Sequence, residues 1–248
     1  MACAVSSENG AVLPFPRAEL GGLLVGALRR HRLPEALAAQ LVREARRFPG
    51  ADADAALAFA LDRRMMPAPL DFDTARGILL VGASGGGKSA VAAKIVHAAA
   101  RFGRETLLTR ADGGLARFRT GRASESGHET KPNPPGLLTV MEADGFNPLN
   151  ARAACAFSAL GDIAGVETIG VVSALNDAED VNDIVTAFRF RRVIVTNMDR
   201  TRRLGAVLAA AAGGARLAHV TRGPRADDAL EILTPGALAA LLLEKSRH

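Results

Sequence analysis

The sequence contains no tryptophan and no tyrosine, and its aromatic content is 4%. Stacking platforms for bases are therefore scarce, which argues against a nucleic-acid-binding protein. Only two cysteines are present, Cys3 and Cys155, with neither a disulfide framework nor metal-ligand spacing, so the chain reads as reduced and cytosolic. No uncharged stretch approaches the roughly 20 residues that span a bilayer. The longest, 204–215 and 232–243, are broken by Gly213-Gly214 and by Pro235-Gly236. The amino terminus lacks the basic start and apolar run of a secretory signal and carries Glu8 early. Internal repeats are absent as well.

What is present suits a soluble globular protein: 248 residues, 48% hydrophobic and 23% charged, enough for one large domain or a medium domain with a small helical partner. The net charge is +5, with arginines gathered at Arg29, Arg30, Arg32, Arg43, Arg46, Arg47, Arg63 and Arg64. Such a surface can attract nucleic acid, anionic lipid or an acidic partner, but a solvated helix face in an arginine-rich proteome is the blander and preferred reading. The inner face of the cell membrane stays open as a peripheral site.

Residues 1–16, with Pro14 and Pro16, read as a flexible tail. From Ala18 to Arg64 apolar residues recur at helical spacing: Leu20, Leu23, Leu24 and Leu28, then Leu37, Leu41 and Val42, then Ala56, Leu57, Ala60 and Leu61. Pro34 suits a first helical turn, and Asp52 or Asp54 can cap the next helix. This predicts a helical N domain over 17–70 and a second domain over 71–248. The texture changes after Met65-Met66-Pro67-Ala68-Pro69. Ile78-Leu79-Leu80-Val81 is a buried parallel strand by pattern, and 90–100 is helical. Further strands are predicted at 106–109, 137–141, 168–172, 192–196 and 217–220, the last of them, with a closing helix over 235–245. Strands alternating with helices mean a mostly parallel sheet covered on both faces, an α/β fold. The polar stretch 120–135 reads as a loop.

Gly82-Ala83-Ser84-Gly85-Gly86-Gly87-Lys88-Ser89 lies between that strand and that helix. A triphosphate needs converging backbone N–H groups, and the glycines Gly82, Gly85, Gly86 and Gly87 leave room for them. Lys88 can reach the β- and γ-phosphates, Ser89 can ligate Mg2+, and the helix that follows points its positive end at the phosphates. This is a P-loop in its confirming context.

Two loops can read the rest of a nucleotide. Asp199, just beyond the apolar strand ending at Thr196, can accept both N1–H and N2–H2 of guanine, or it can merely cap a helix starting near Thr201. In Glu142-Ala143-Asp144-Gly145 either acid can hold Mg2+ through water, and Gly145 can donate its N–H to the γ-phosphate. A capping role for these acids is the simpler alternative.

The order of these motifs resembles the signal-recognition-particle GTPases. The likeness rests on the P-loop, Asp112 after the second strand, the acidic-Gly loop, Thr196-Asn197-Met198-Asp199 with Leu204-Gly205-Ala206 trailing it, and the late Thr221-Arg222-Gly223. It runs from about residue 18 to the end, and the helical prelude is similar to the family's N domain. Asp144-Gly145-Phe146-Asn147-Pro148 and Arg200 bring it nearest the flagellar-biosynthesis branch. No methionine-rich RNA-binding tail follows. The resemblance implies a P-loop NTPase fold preceded by a helical N domain, with GTP and Mg2+ as ligands. Lys88, Asp112 and Glu142 would be catalytic. Ser89, Asp112 and Glu142 would serve the metal, and Asn197, Asp199 and Gly223 would line the base. It also implies a nucleotide-dependent dimer with a second copy or a related GTPase.

The departures matter for activity. The family's arginine after the second strand is missing, since Asp112 is followed by Gly113-Gly114-Leu115, and Arg117 or Arg119 is the nearest substitute. The third motif carries Glu142 and Asp144, and Asn197 stands where the family has lysine. An arginine at the transition state is worth on the order of 10³ to 10⁵ in rate. The expectation is a GTP-dependent switch in protein targeting or flagellar placement, with slow or absent hydrolysis. The alternatives are a nucleotide-binding adaptor without catalysis and, further off, a partitioning-type ATPase, whose second lysine is replaced here by Ala83 and Ser84.

Overall fold

The computed structural model describes residues 17–50, 52–111, 136–143 and 164–244. Three helices come first: α1 (Arg17–Arg30), α2 (Glu35–Ala45) and α3 (Ala53–Asp62). Of the two candidate caps it is Asp52 that accepts the Ala55 N–H, at 3.0 Å, while Pro34 stands at the N-cap of α2 rather than inside its first turn. Their apolar stripes, from Leu20 through Leu61, are buried except for the half-buried Leu23.

Among the described residues seven strands follow: β1 (Gly77–Val81), β2 (Thr106–Arg110), β3 (Leu138–Glu142), β4 (Val166–Ser173), β5 (Arg192–Thr196), β6 (Arg216–Thr221) and β7 (Leu230–Glu231). They form one sheet in the order β2-β3-β1-β4-β5-β6-β7, parallel throughout except for β7. The sequence-based expectation of 217–220 as the last strand is corrected here, because Leu230–Glu231 adds an antiparallel edge. The helices α4 (Lys88–Arg101), α5 (Ala178–Phe188), α6 (Gly205–Ala212) and α7 (Pro235–Leu243) cover the sheet. This is the α/β P-loop fold.

Every residue of β1 is buried, and alternate side chains feed two cores. Ile78 and Leu80 pack with Val91, Ile95 and Ala99 of α4. Leu79 and Val81 join a larger cluster shared with α5, α6, α7 and all three leading helices. Burial on both faces is what a continuous apolar run in a parallel strand is for.

One histidine ties the leading helices to the rest. His31 is buried, its Nδ1 accepts the Leu204 N–H at 3.2 Å, and its Nε2 donates to the Leu242 carbonyl at 3.1 Å. Gly205 begins α6 against the same turn, so closely that a Cβ there would lie 2.5 Å from the His31 carbonyl oxygen. Any side chain at 205 would push α6 off α1.

Between α3 and β1 the chain runs as a strap, residues 65–76, held by polar contacts. Arg192 pairs with Glu167 and donates to the Ala68 and Pro69 carbonyls. Arg104 donates to the Phe72, Asp73, Ala75 and Gly136 carbonyls. His219 of β6 accepts the Leu70 N–H through Nε2 at 3.1 Å. No helix among the described residues is long and apolar enough to cross a membrane.

Candidate functional site

Strand order reverses at β1, which has β3 on one side and β4 on the other although β2 follows it in the chain. In open α/β sheets the crevice outside the carboxyl ends of the strands at such a point takes the ligand. The loop 82–87 leaves β1 there and enters α4 at Lys88.

The local geometry follows from the glycines. Gly87 is the N-cap of α4 with φ +94°. A Cβ on it would press on the Thr196 side chain at 3.2 Å, so both conformation and space demand glycine. Gly86 donates its N–H to the Ala83 carbonyl at 3.2 Å, closing the loop on itself. Ser84 and Gly85 face solvent. The Lys88 Nζ is buried and donates to the Gly82 and Ala83 carbonyls at 2.9 and 3.0 Å.

Facing this loop, β3 ends on Glu142. Its Oε2 accepts the Ser89 hydroxyl at 2.7 Å, across 53 residues of sequence. A hydroxyl and a carboxylate at this distance, both open to solvent, are the oxygen donors a small hard cation takes. Among the described residues no group of three or more His, Cys, Asp and Glu stands together. Asp112, Asp144 and Gly145 lie outside the described residues, as do Arg117, Arg119, the tail over 1–16 and the loop over 120–135.

The base-reading candidates come off β5. Thr196 donates its hydroxyl to the Gly86 carbonyl at 2.8 Å, tying this strand end to the phosphate loop. Asn197 follows in the left-handed region, φ +60° and ψ 32°, and a 3-10 turn, Met198–Arg200, carries Asp199. Asp199 is exposed. The capping alternative for it is overturned: the next helix, α6, starts at Gly205 with Leu204 as its N-cap and no side-chain cap.

Gly223 lies beyond β6 with φ +69°, and a Cβ on it would lie 2.3 Å from the Asp228 carboxylate. Sequence reasoning missed what fastens this loop. Lys94 of α4 is 2% exposed, and its Nζ donates to the Arg225 and Asp228 carbonyls and stands 3.6 Å from Asp228 Oδ2. The Asp228 carboxyl, accepting the Arg225 N–H and facing Lys94, is held below the usual carboxylate range. The available signal was a lysine on the apolar face of α4, next to Val91 and Ile95. The helix that carries Lys88 thus also anchors the loop at Gly223.

No protein-family model matches the sequence, and no curated protein matches it. Solved structures do. FlhF complexed with GTP and Mg2+ superposes with a TM-score of 0.69 at 17% identity, over 90% of this chain and 99% of that one. FtsY from Mycoplasma mycoides gives 0.63 at 16% identity, over 92% and 88%. The signal recognition particle 54 kDa protein from Aeropyrum pernix K1, in complex with GDP, gives 0.64 at 19% identity, over 97% and 66%. The chain has the fold of these proteins. The likeness spans the leading helices as well as the sheet, since 90% or more of the chain is covered in each case.

Proposed function

We propose that this chain binds GTP with Mg2+ and works as a nucleotide-dependent switch of the signal-recognition-particle GTPase type, with slow hydrolysis. The observation that carries the reading is the Ser89–Glu142 hydrogen bond of 2.7 Å at the mouth of the phosphate loop. It brings a hydroxyl and a carboxylate from distant parts of the chain to the place where a P-loop fold holds its cation. Of the two acids Glu142 and Asp144, Glu142 is the one we assign to the metal.

The residues present fit the ligand. Lys88 rests on two carbonyls that phosphate oxygens can replace, and Ala83 through Gly87 line the cradle. Asp199 is free of capping duty and faces solvent, where it can pair with both guanine donors. Gly223 borders the base from the other side. Asp112 and Gly145 keep the roles the sequence resemblance implies, near metal or water and near the γ-phosphate. Bound Mg2+ would supply charge neutralisation between the β- and γ-phosphates. The fold shared with FlhF bound to GTP and Mg2+ supports the choice of ligands. By the same likeness we propose a nucleotide-dependent dimer as the signalling state, serving protein targeting or flagellar placement.

The test is titration of GTP and ATP, with and without Mg2+, followed by single-turnover phosphate release. Wild type is expected to prefer GTP. Asp199→Asn should cut that preference about tenfold, the worth of a good hydrogen-bond pair, and Glu142→Gln should weaken the Mg2+ dependence. Equal affinity for ATP would sink the reading of Asp199. Tight binding with phosphate release no faster than in Lys88→Ala would leave a binding adaptor rather than a GTPase.

A further inference from the structure

The base loop holds a brace that composition and motif spacing do not reveal. Asn197 is one of three non-glycine residues with positive φ among those described. That region is costly for most side chains, and asparagine is among the few that enter it readily. Its Nδ2 donates to Ser173 Oγ at 2.9 Å and to Thr196 Oγ1 at 3.2 Å. Ser173, buried at the end of β4, also accepts the Leu175 N–H at 3.2 Å. Thr196 passes its own hydroxyl hydrogen to Gly86 of the phosphate loop. On the far side, the Arg200 N–H donates to the Asn197 carbonyl at 3.1 Å, and Met198 is buried. Asp199 is fixed between these two anchors.

We infer that Asn197 is the positioning residue of this site. Its amide locks the left-handed bend that sets Asp199 relative to Gly86, so that the phosphate loop and the base loop are assembled before nucleotide arrives. The brace runs Gly86, Thr196, Asn197, Ser173 through uncharged groups alone. Preorganisation of this kind contributes to affinity by removing an ordering cost at binding. Because Thr196 keeps its own bond to Gly86 when the Asn197 amide is removed, loss of the amide should reach the base and spare the phosphates. This rests on the reading of the site as a GTP site.

The test is a comparison of Asn197→Gly with wild type using three probes: GTP, ATP and inorganic tripolyphosphate. Glycine keeps the positive φ without strain, so only the amide is lost. The expected result is a roughly tenfold loss of GTP affinity, with a matching drop in the GTP-to-ATP ratio and unchanged binding of tripolyphosphate. Ser173→Ala should give a smaller loss in the same direction. The double variant should lose little more than Asn197→Gly alone, because the two residues share one bond. The inference is overturned if Asn197→Gly binds GTP as tightly and selectively as wild type. It is overturned equally if tripolyphosphate weakens in parallel, which would mean general loosening. A wild-type protein that itself fails to prefer GTP over ATP would sink the proposed function instead, a separate and visible outcome.

Discussion

The carboxyl rim of the sheet and the strap at 65–76 use charge in opposite ways. At the strap, Arg192 and Arg104 are saturated by a carboxylate and six backbone carbonyls. At the rim, Lys88 rests on two carbonyls of its own loop, and Glu142 is met by a hydroxyl. Saturated charges hold structure, because replacing their partners gains nothing. Charges that rest on the carbonyls of a glycine loop or on a single hydroxyl at its mouth stand where a ligand can take over those contacts. Both regions mix buried, part-buried and exposed polar contacts, so burial alone does not tell site from scaffold. The kind of partner does.

The sharpest way to break this contrast is Lys88→Ala. If the rim is a triphosphate site, losing two charge-assisted hydrogen bonds of roughly 1.5–3 kcal/mol each should weaken GTP by on the order of 10²–10⁴-fold. Calorimetric titration measures it, and thermal unfolding without nucleotide should shift little by comparison. Affinity within tenfold of wild type would mean that the lysine is structural, like the arginines of the strap.

The strap should respond to acid. Burial lowers the His219 pKa from 6.5 to about 4, the Arg192 charge adding to it, while the backbone of Glu231 and Leu230 pulls the other way. The folded protein keeps the ring neutral so that Nε2 can accept from Leu70, and the unfolded chain protonates first as pH falls. This contribution is complete above pH 6.5 and drains between 6.5 and about 4, reaching about 3 kcal/mol at 1.36 kcal/mol per unit. His219→Gln keeps an acceptor for Leu70 without a titrating group. The difference between the two proteins in urea unfolding across that range isolates the effect, and a constant difference would refute it.

Much of this was legible in the chain, and the rest had physical reasons to be hidden. The apolar run 78–81 followed at once by glycines announced β1 and its loop, and the helical spacing from Leu20 to Leu61 announced the leading helices. Both signals are local. β7 was not legible because two residues, Leu230 and Glu231, carry no period. The Ser89–Glu142 contact was hidden because it spans 53 residues and exists only once the sheet brings β3 beside α4. The role of Lys94 was not legible, since its carbonyl partners lie more than 130 residues away. Asn197 read as a missing lysine. Its left-handed backbone and its bond to Ser173 exist only once β4 and β5 pair.

The smallest expected effect tests whether the strap is scaffold alone. Arg192→Met keeps the aliphatic stem but removes the pairing with Glu167 and the bonds to Ala68 and Pro69. The Arg192 side chain is 21% exposed and that of Glu167 32%, so water compensates in part. A loss of about 2 kcal/mol in folding stability is expected, below the 3–5 kcal/mol of a fully buried pair. Nucleotide affinity should stay within a factor of two, because Arg192 starts β5 at the end remote from Thr196. A variant that lost GTP binding in step with stability would show the two ends of β5 acting as one unit. The division between a saturated scaffold and an exchangeable site would then have to be drawn through single residues rather than through regions.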